Sequence, residues 1–140
     1  MRKTLLLLLI GTFGLGTFSG CTKTEYVDNM INPNRTYIRI LTPGNWQRLS
    51  NNLVKYDVAL PALGSYYTDD LVSVALSFDG EASYDILPAT IDGLAYSVNY
   101  SEGWVTVFIQ DPLNEDFLVP APTSSVYMKV VISESEYIDD

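Results

Sequence analysis

The feature that most constrains the fold is an alternation of apolar and polar residues, in short runs that Gly, Pro, Asn and Asp interrupt. A period of two places the apolar side chains of a run on one face, which is typical of a half-buried β-strand. No window of eleven or more residues beyond residue 20 repeats with the 3.6-residue period of a helix, although 62–70 could hold one helical turn. The sequence therefore predicts an all-β domain with seven strands, at 37–41, 53–60, 71–78, 84–87, 94–100, 104–110 and 126–132.

The turns between these runs predict antiparallel pairs. Ser101-Glu102-Gly103 separates 94–100 from 104–110 and gives the clearest hairpin signal in the chain, and Asp79-Gly80 is a turn that would join 71–78 to 84–87. Two prolines within 118–123 cannot donate ladder hydrogen bonds, so this segment is expected to cross between strands. About seven strands at this spacing favour a single antiparallel β-sandwich, with a small barrel as the alternative.

Three basic residues interrupt apolar strands: Arg39, Lys55 and Lys129. A charge in a strand can keep an exposed sheet edge from pairing with another molecule. Simple solvent exposure on the outward face of the sheet is the favoured interpretation for Arg39 and Lys55.

The first 20 residues follow a different pattern, with a basic start, an apolar stretch and small residues before a cysteine. Arg2 and Lys3 precede the apolar run 5–10, and 11–18 is diluted by glycine and threonine. This is the order of a secretory signal peptide, and the strongly apolar part is shorter than the roughly 18 residues of a spanning helix.

The end of this leader, Phe18-Ser19-Gly20-Cys21, resembles the lipobox that lipoprotein signal peptidase recognises, although Leu is usual at the first position. The resemblance implies signal recognition through Phe18, Ser19 and Gly20, a diacylglycerol thioether on Cys21 and a further acyl chain on its amine. Two or more acyl chains hold a protein stably on a membrane. The protein is therefore expected to be lipid-anchored in the bacterial cell envelope, at the outer membrane.

Four segments are expected on this basis. They are a lipoprotein signal peptide at 1–20, a lipidated cysteine with a flexible tether at 21–35, the β-sandwich at 36–133 and an acidic C-terminal tail at 134–140. Cleavage would leave 120 residues with six basic and 17 acidic side chains, a net charge of −11. Such a surface repels phosphate backbones and anionic headgroups, so no nucleic-acid partner is expected and the membrane contact would rest on the lipid.

The chain has no histidine, and its one cysteine is the expected lipidation site. Ser-His and Cys-His catalysis and thiolate zinc sites are therefore excluded. Acidic chemistry remains: a small carboxylate-dependent hydrolase needs two facing carboxyl groups, and an acidic loop can bind calcium. A solvated acidic surface is the simpler interpretation, so no enzyme activity, cofactor or metal is expected. The candidate carboxyl groups are Asp69, Asp70, Asp79, Glu81, Asp85 and Asp92, and the candidate calcium loop holds Asp111, Asn114, Glu115 and Asp116.

Ten tyrosines and two tryptophans make aromatic residues the most unusual enrichment. On the outward face of a sheet they would form a surface on which a glycan or a peptide stacks. Core or cross-strand packing is the favoured alternative, because Tyr and Trp suit a pleated surface, and Trp46 is expected to anchor the core. The candidate surface consists of Tyr66, Tyr67, Tyr96, Tyr100 and Trp104.

The segment 26–133 also resembles a group of small, functionally uncharacterised Bacteroidetes lipoproteins with a β-sandwich domain. The resemblance is carried by Tyr26-Val27, Pro43-Gly44-Asn45-Trp46, and the strands at 56–60, 94–100, 104–109 and 128–132. It implies a sandwich lipoprotein and assigns no activity. The expected function is a non-enzymatic structural or ligand-binding module for a glycan or a peptide. The alternatives are the small hydrolase and a surface-fibre or adhesin subunit.

Overall fold

A computed structural model of the chain describes residues 34–65, 67–135 and 138. The predicted signal peptide, Cys21 and nearly all of the predicted tether lie outside these residues. Within the described part no helix is long and apolar enough to span a membrane. The described elements are a short 3-10 turn, Pro43–Asn45, and nine strands: β1 (Arg35–Leu41), β2 (Gln47–Ser50), β3 (Leu53–Ala59), β4 (Leu71–Ser77), β5 (Asp85–Ile86), β6 (Ala89–Ile91), β7 (Leu94–Ser101), β8 (Trp104–Gln110) and β9 (Val126–Ser133).

The strands form two antiparallel sheets, ordered β1-β9-β4-β5 and β2-β3-β8-β7-β6. Neither sheet closes on itself, so the domain is a β-sandwich and the prediction of an all-β sandwich is confirmed. The seven predicted strands are all present. The two further strands, β2 and β6, are the short edges of the second sheet.

The core lies between the inward faces of the two sheets. β9 is inside its sheet, and Met128, Val130 and Ile132 are fully buried. On the facing sheet, Val107 and Ile109 of β8 are also fully buried. Because side chains alternate along a strand, the residues between them face outward, and the alternation in the sequence is thus explained by one buried face per sheet.

The predicted hairpins are confirmed. β7 and β8 pair up to the Ser101–Trp104 pair, and Gly103 in the loop adopts a φ of 75°, which glycine reaches without a steric penalty. β4 pairs with β5 beyond the predicted Asp79-Gly80 turn. The stretch 62–70 forms turns and no helix in its described part.

The Asp79 carboxylate organises the β4–β5 connection. It accepts hydrogen bonds from the Ser83 hydroxyl at 2.5 Å, the Ser83 amide at 2.9 Å and the Ser77 hydroxyl at 2.8 Å. These bonds, those from Ser83 first, lower the pKa of Asp79 to about 2 because they stabilise its charged form.

Arg39 contradicts the expectation of outward solvent exposure. It is opposite the buried Met128 in the β1–β9 register and shares the inward side of the edge strand β1. Its guanidinium lies 5.6 Å from the centroid of the Tyr37 ring and donates a 3.0 Å hydrogen bond to the Ile38 carbonyl. An inward-pointing charge on an edge strand disfavours pairing with another chain.

The other two basic residues lie on inner strands of their sheets. Lys55 faces outward as expected, and its ammonium is 2.7 Å from the Asp57 carboxylate. Lys129 lies over the Tyr84 ring, 3.8 Å from its centroid. Neither lysine protects an edge.

The two ends of the sandwich are distinct. At one end Arg35 begins β1 next to the last residues of β9, and Leu71 begins β4 opposite Ser133. Arg35 and Glu134 form an ion pair there. At the far end β1 finishes at Leu41, opposite Val126, where β9 starts.

Candidate functional site

Three of the predicted aromatic surface residues pack toward the core. Tyr96 is 8% exposed on the inward face of β7, and Tyr100, on the same face, donates a 2.9 Å hydrogen bond from its hydroxyl to the Asp70 carbonyl. Tyr67 also packs against the core cluster. The alternation of β7 places Tyr96, Val98 and Tyr100 on one side, and this side is the inner one.

Trp104 is separated from these residues by the thickness of the sheet. It is 49% exposed on the outward face of β8, and Tyr66 lies outside the described residues. The predicted five-residue surface therefore does not form, and the favoured alternative of core packing holds for Tyr96 and Tyr100.

Trp104 instead lines a different site, which we call the tryptophan cleft. Its volume is about 500 Å³, within the range of about 300–1,000 Å³ that small ligands occupy. Both tryptophans of the chain contribute to it. The lining residues are Gly44, Asn45, Trp46, Gln47, Tyr56, Asp57 and Trp104.

A short turn positions Trp46. After β1, Pro43 starts a 3-10 turn in which the Asn45 amide donates to the Thr42 carbonyl at 3.2 Å, and the chain then passes Trp46 to β2. The Trp46 ring packs edge-on against Tyr56, with 5.2 Å between centroids. Trp46 is thus packed against the core as expected, but its indole N–H is buried without a hydrogen-bond partner among the described residues.

The Tyr56 hydroxyl is held by the same turn. It accepts hydrogen bonds from the Thr42 amide at 3.2 Å and from the Asn45 side chain at 3.4 Å. Burial raises the pKa of Tyr56, but the hydrogen bonds from Thr42 and Asn45 together outweigh it, and the pKa lies below its ordinary value of 10.0. The network fixes the Asn45 amide group at the rim of the cleft.

Asp57 supplies a fixed carboxylate to the cleft. One oxygen is 2.7 Å from the Lys55 ammonium and the other accepts a 2.8 Å hydrogen bond from the Thr106 hydroxyl. The hydrogen bond from Lys55 is the main cause that lowers the pKa of Asp57, so the group is ionised at neutral pH. Each oxygen keeps lone-pair capacity for a further donor.

A second cleft, of about 800 Å³, lies at the far end of the sandwich between β5, β6 and the connection from β8 to β9. We call it the loop groove. Its walls are mainly apolar, and three aspartates also line it. The residues are Phe78, Asp85, Ile91, Asp92, Gly93, Leu94, Tyr96, Asp111, Phe117 and 120–124.

The β8–β9 connection, residues 111–125, is long and irregular but firmly held. Val119 is fully buried, and its amide donates to the Asn51 carbonyl at 2.9 Å. The Arg48 guanidinium donates a 2.6 Å hydrogen bond to the Val119 carbonyl. At the start of the connection, the Asp111 amide donates to the Asn52 carbonyl and the Asn52 side chain donates to the Asp111 carbonyl, both at 3.1 Å.

The predicted calcium loop uses its polar groups locally. One Asp111 oxygen accepts the amides of Leu113 and Asn114 at 2.9 and 3.1 Å, and the Asn114 side chain accepts the Asp116 amide at 3.1 Å. Across the part of the chain that the structure describes, no three Asp, Glu, His or Cys side chains gather in a way that could hold a metal ion.

The six carboxyl groups considered for hydrolysis lie in three places. Asp85 and Asp92 line the loop groove, whereas Asp79 and Glu81 lie in the β4–β5 connection and accept hydrogen bonds from Ser83 and Tyr84. Asp69 and Asp70 lie just before β4, at the opposite end of the sandwich.

Sequence reasoning missed Asn45, Gln47 and Asp57 as site residues. The one signal for Asn45 and Gln47 is their position beside Trp46 after a Pro-Gly turn, which marks a loop. Compared with protein-family models, with curated proteins and with solved structures, the chain gave no match in any of the three.

Proposed function

We propose that the protein is a non-enzymatic, lipid-anchored module of the bacterial cell envelope that binds a glycan through the tryptophan cleft. The observation that carries the proposal is the convergence of both tryptophans with Asn45, Gln47 and the Asp57 carboxylate. A sugar ring has an apolar C–H face and a polar rim of hydroxyl groups. Indole rings suit the former, while amide and carboxylate side chains bind the latter.

The cleft is also organised before a ligand arrives. Asp57 is fixed by Lys55 and Thr106, and Asn45 is fixed by the turn that holds Tyr56. A site of this kind loses little side-chain entropy on binding, and this favours affinity. The Trp104 ring, half exposed on the sheet face, is the stacking platform.

Binding without hydrolysis is favoured by the carboxyl count of the cleft. Asp57 is the one carboxylic acid among its lining residues, whereas glycoside hydrolysis generally uses a facing pair. Asp57 also keeps a lowered pKa, which makes it a poor general acid.

The anchor is the part of the proposal supported by the lipobox-like sequence that ends at Cys21. Labelled palmitate should enter the protein and should fail to enter the Cys21→Ala variant. An unmodified thiol in the wild-type protein would contradict the anchor without affecting the cleft.

Glycan binding is tested with the full chain on an array of bacterial and host glycans, followed by titration of the best ligand. Trp104→Ala should weaken binding at least about tenfold. Phe117→Ala is the matched control, because Phe117 is a similarly exposed aromatic residue outside the cleft, 43% against 49%. Absence of any glycan ligand, or equal losses in both variants, would contradict the proposal.

A further inference from the structure

We infer that the loop groove is a second binding site, distinct from the tryptophan cleft, which takes an extended peptide segment carrying basic and apolar side chains. Irregular connections longer than about 12–15 residues are uncommon inside compact domains and are often functional. The connection at 111–125 is of this kind and borders the groove.

The connection exposes apolar side chains although it is firmly attached to the sandwich. Leu113 is 94% exposed, Phe117 43% and Leu118 62%. The neighbouring Val119 is buried, and both its backbone amide and its carbonyl are hydrogen-bonded. Phe78, across the groove, is 42% exposed and packs edge-on against Tyr96. Phe78 and Phe117 both line the groove, and exposed apolar side chains that lie together are typical of interaction sites.

The charges of the groove select a basic partner. Asp85, Asp92 and Asp111 line it, and the ion pairs among the described residues, Arg35–Glu134 and Lys55–Asp57, involve none of them. No lysine or arginine lines the groove. Electrostatic complementarity therefore favours Lys or Arg side chains and disfavours anionic ligands.

The position of the groove favours an extended chain over a compact ligand. Asp85 belongs to β5 and Ile91 to β6, and these are the edge strands of the two sheets on the same side of the sandwich. Edge strands offer backbone donors and acceptors to a peptide that runs alongside them. The apolar walls then receive its alternate side chains.

The test uses a five-residue peptide of alternating Lys and Leu with blocked ends, titrated into the isotope-labelled full chain while amide chemical shifts are recorded. Shifts should be confined to residues around 78, 85–96 and 111–124. A Lys/Ser peptide of equal charge should bind at least about tenfold more weakly because it lacks apolar side chains.

Variants test whether the peptide binds in the groove or binds through the net negative charge of the whole protein. Phe117→Ala should weaken binding of the Lys/Leu peptide by about tenfold, while Trp104→Ala should leave it unchanged. Asp92→Asn should weaken binding several-fold, and Glu102→Gln, the same charge change at the other end of the sandwich, should not. Equal effects of the two charge variants, equal binding of the Lys/Ser peptide, or no binding at millimolar concentration would overturn the inference.

Discussion

Replacement of Val119 by alanine tests whether packing holds the β8–β9 connection in place. The side chain is fully buried, and the change removes two carbon atoms from the core. At about 0.8 kcal/mol per buried methylene, their transfer accounts for roughly 1.6 kcal/mol. A cavity that relaxes only in part adds to this, so we expect the free energy of unfolding to fall by about 2–3 kcal/mol.

The assay is equilibrium urea unfolding followed by tryptophan fluorescence, since Trp46 and Trp104 lie outside the connection. The midpoint should fall by about 1–2 M urea with an unchanged slope. Leu118→Ala, next in the chain but 62% exposed, is the control and should change stability by less than about 0.5 kcal/mol. If the two variants lose equal stability, the connection is not anchored by Val119 and the loop groove is not preformed.

Three further predictions concern a carboxylate, a turn and an edge. Asp79→Asn should lower the melting temperature above about pH 4. The difference in melting temperature from the wild-type protein should vanish as the pH falls from 3.8 toward the folded pKa of about 2, because the hydrogen bonds stabilise only the ionised form of Asp79. A difference that stays constant with pH would contradict this. Gly103 has a φ of 75°, so Gly103→Ala should lower the free energy of unfolding, measured in urea, by about 1 kcal/mol. An added Cβ atom meets open space at both Gly103 and Gly44, and Gly44→Ala should lower the free energy of unfolding by less than about 0.5 kcal/mol. Arg39→Val should increase self-association in sedimentation experiments because it removes the edge charge. A sedimentation profile equal to that of the wild-type protein would argue against that role.

Where apolar and polar residues alternate several times, the bounds of the strand could be predicted from the sequence to within two residues. The predicted 104–110 coincides with β8, and 94–100 and 126–132 differ from β7 and β9 by one residue each. β2 and β6 were missed because four and three residues contain too few periods to stand out. The sequence signal for β6 was Asp92-Gly93, between Ile91 and Leu94. Asp92 and Gly93 have φ angles of 51° and 80° and form the two-residue turn of the β6–β7 hairpin.

The site was harder to predict than the fold, for two physical reasons. The first is the face of the sheet on which an aromatic residue lies. In β7 the polar Ser97 and Asn99 alternate with Tyr96 and Tyr100, so the tyrosines point inward. In β8 the valines occupy the inner face and Trp104 lies on the outer one. Aromatic residues occur on both faces, so residue type alone could not separate a surface residue from a core residue. The second is distance along the chain, because the approach of Trp46 to Trp104 depends on the pairing of β3 with β8.

The order of the strands also sets how the domain is presented to its surroundings. β1 begins at the end of the sandwich where β9 finishes, and the loop groove lies at the opposite end. Strands of seven residues at about 3.3 Å each separate these poles by roughly 23 Å. A macromolecule bound in the groove would therefore leave the end at which β1 begins uncovered.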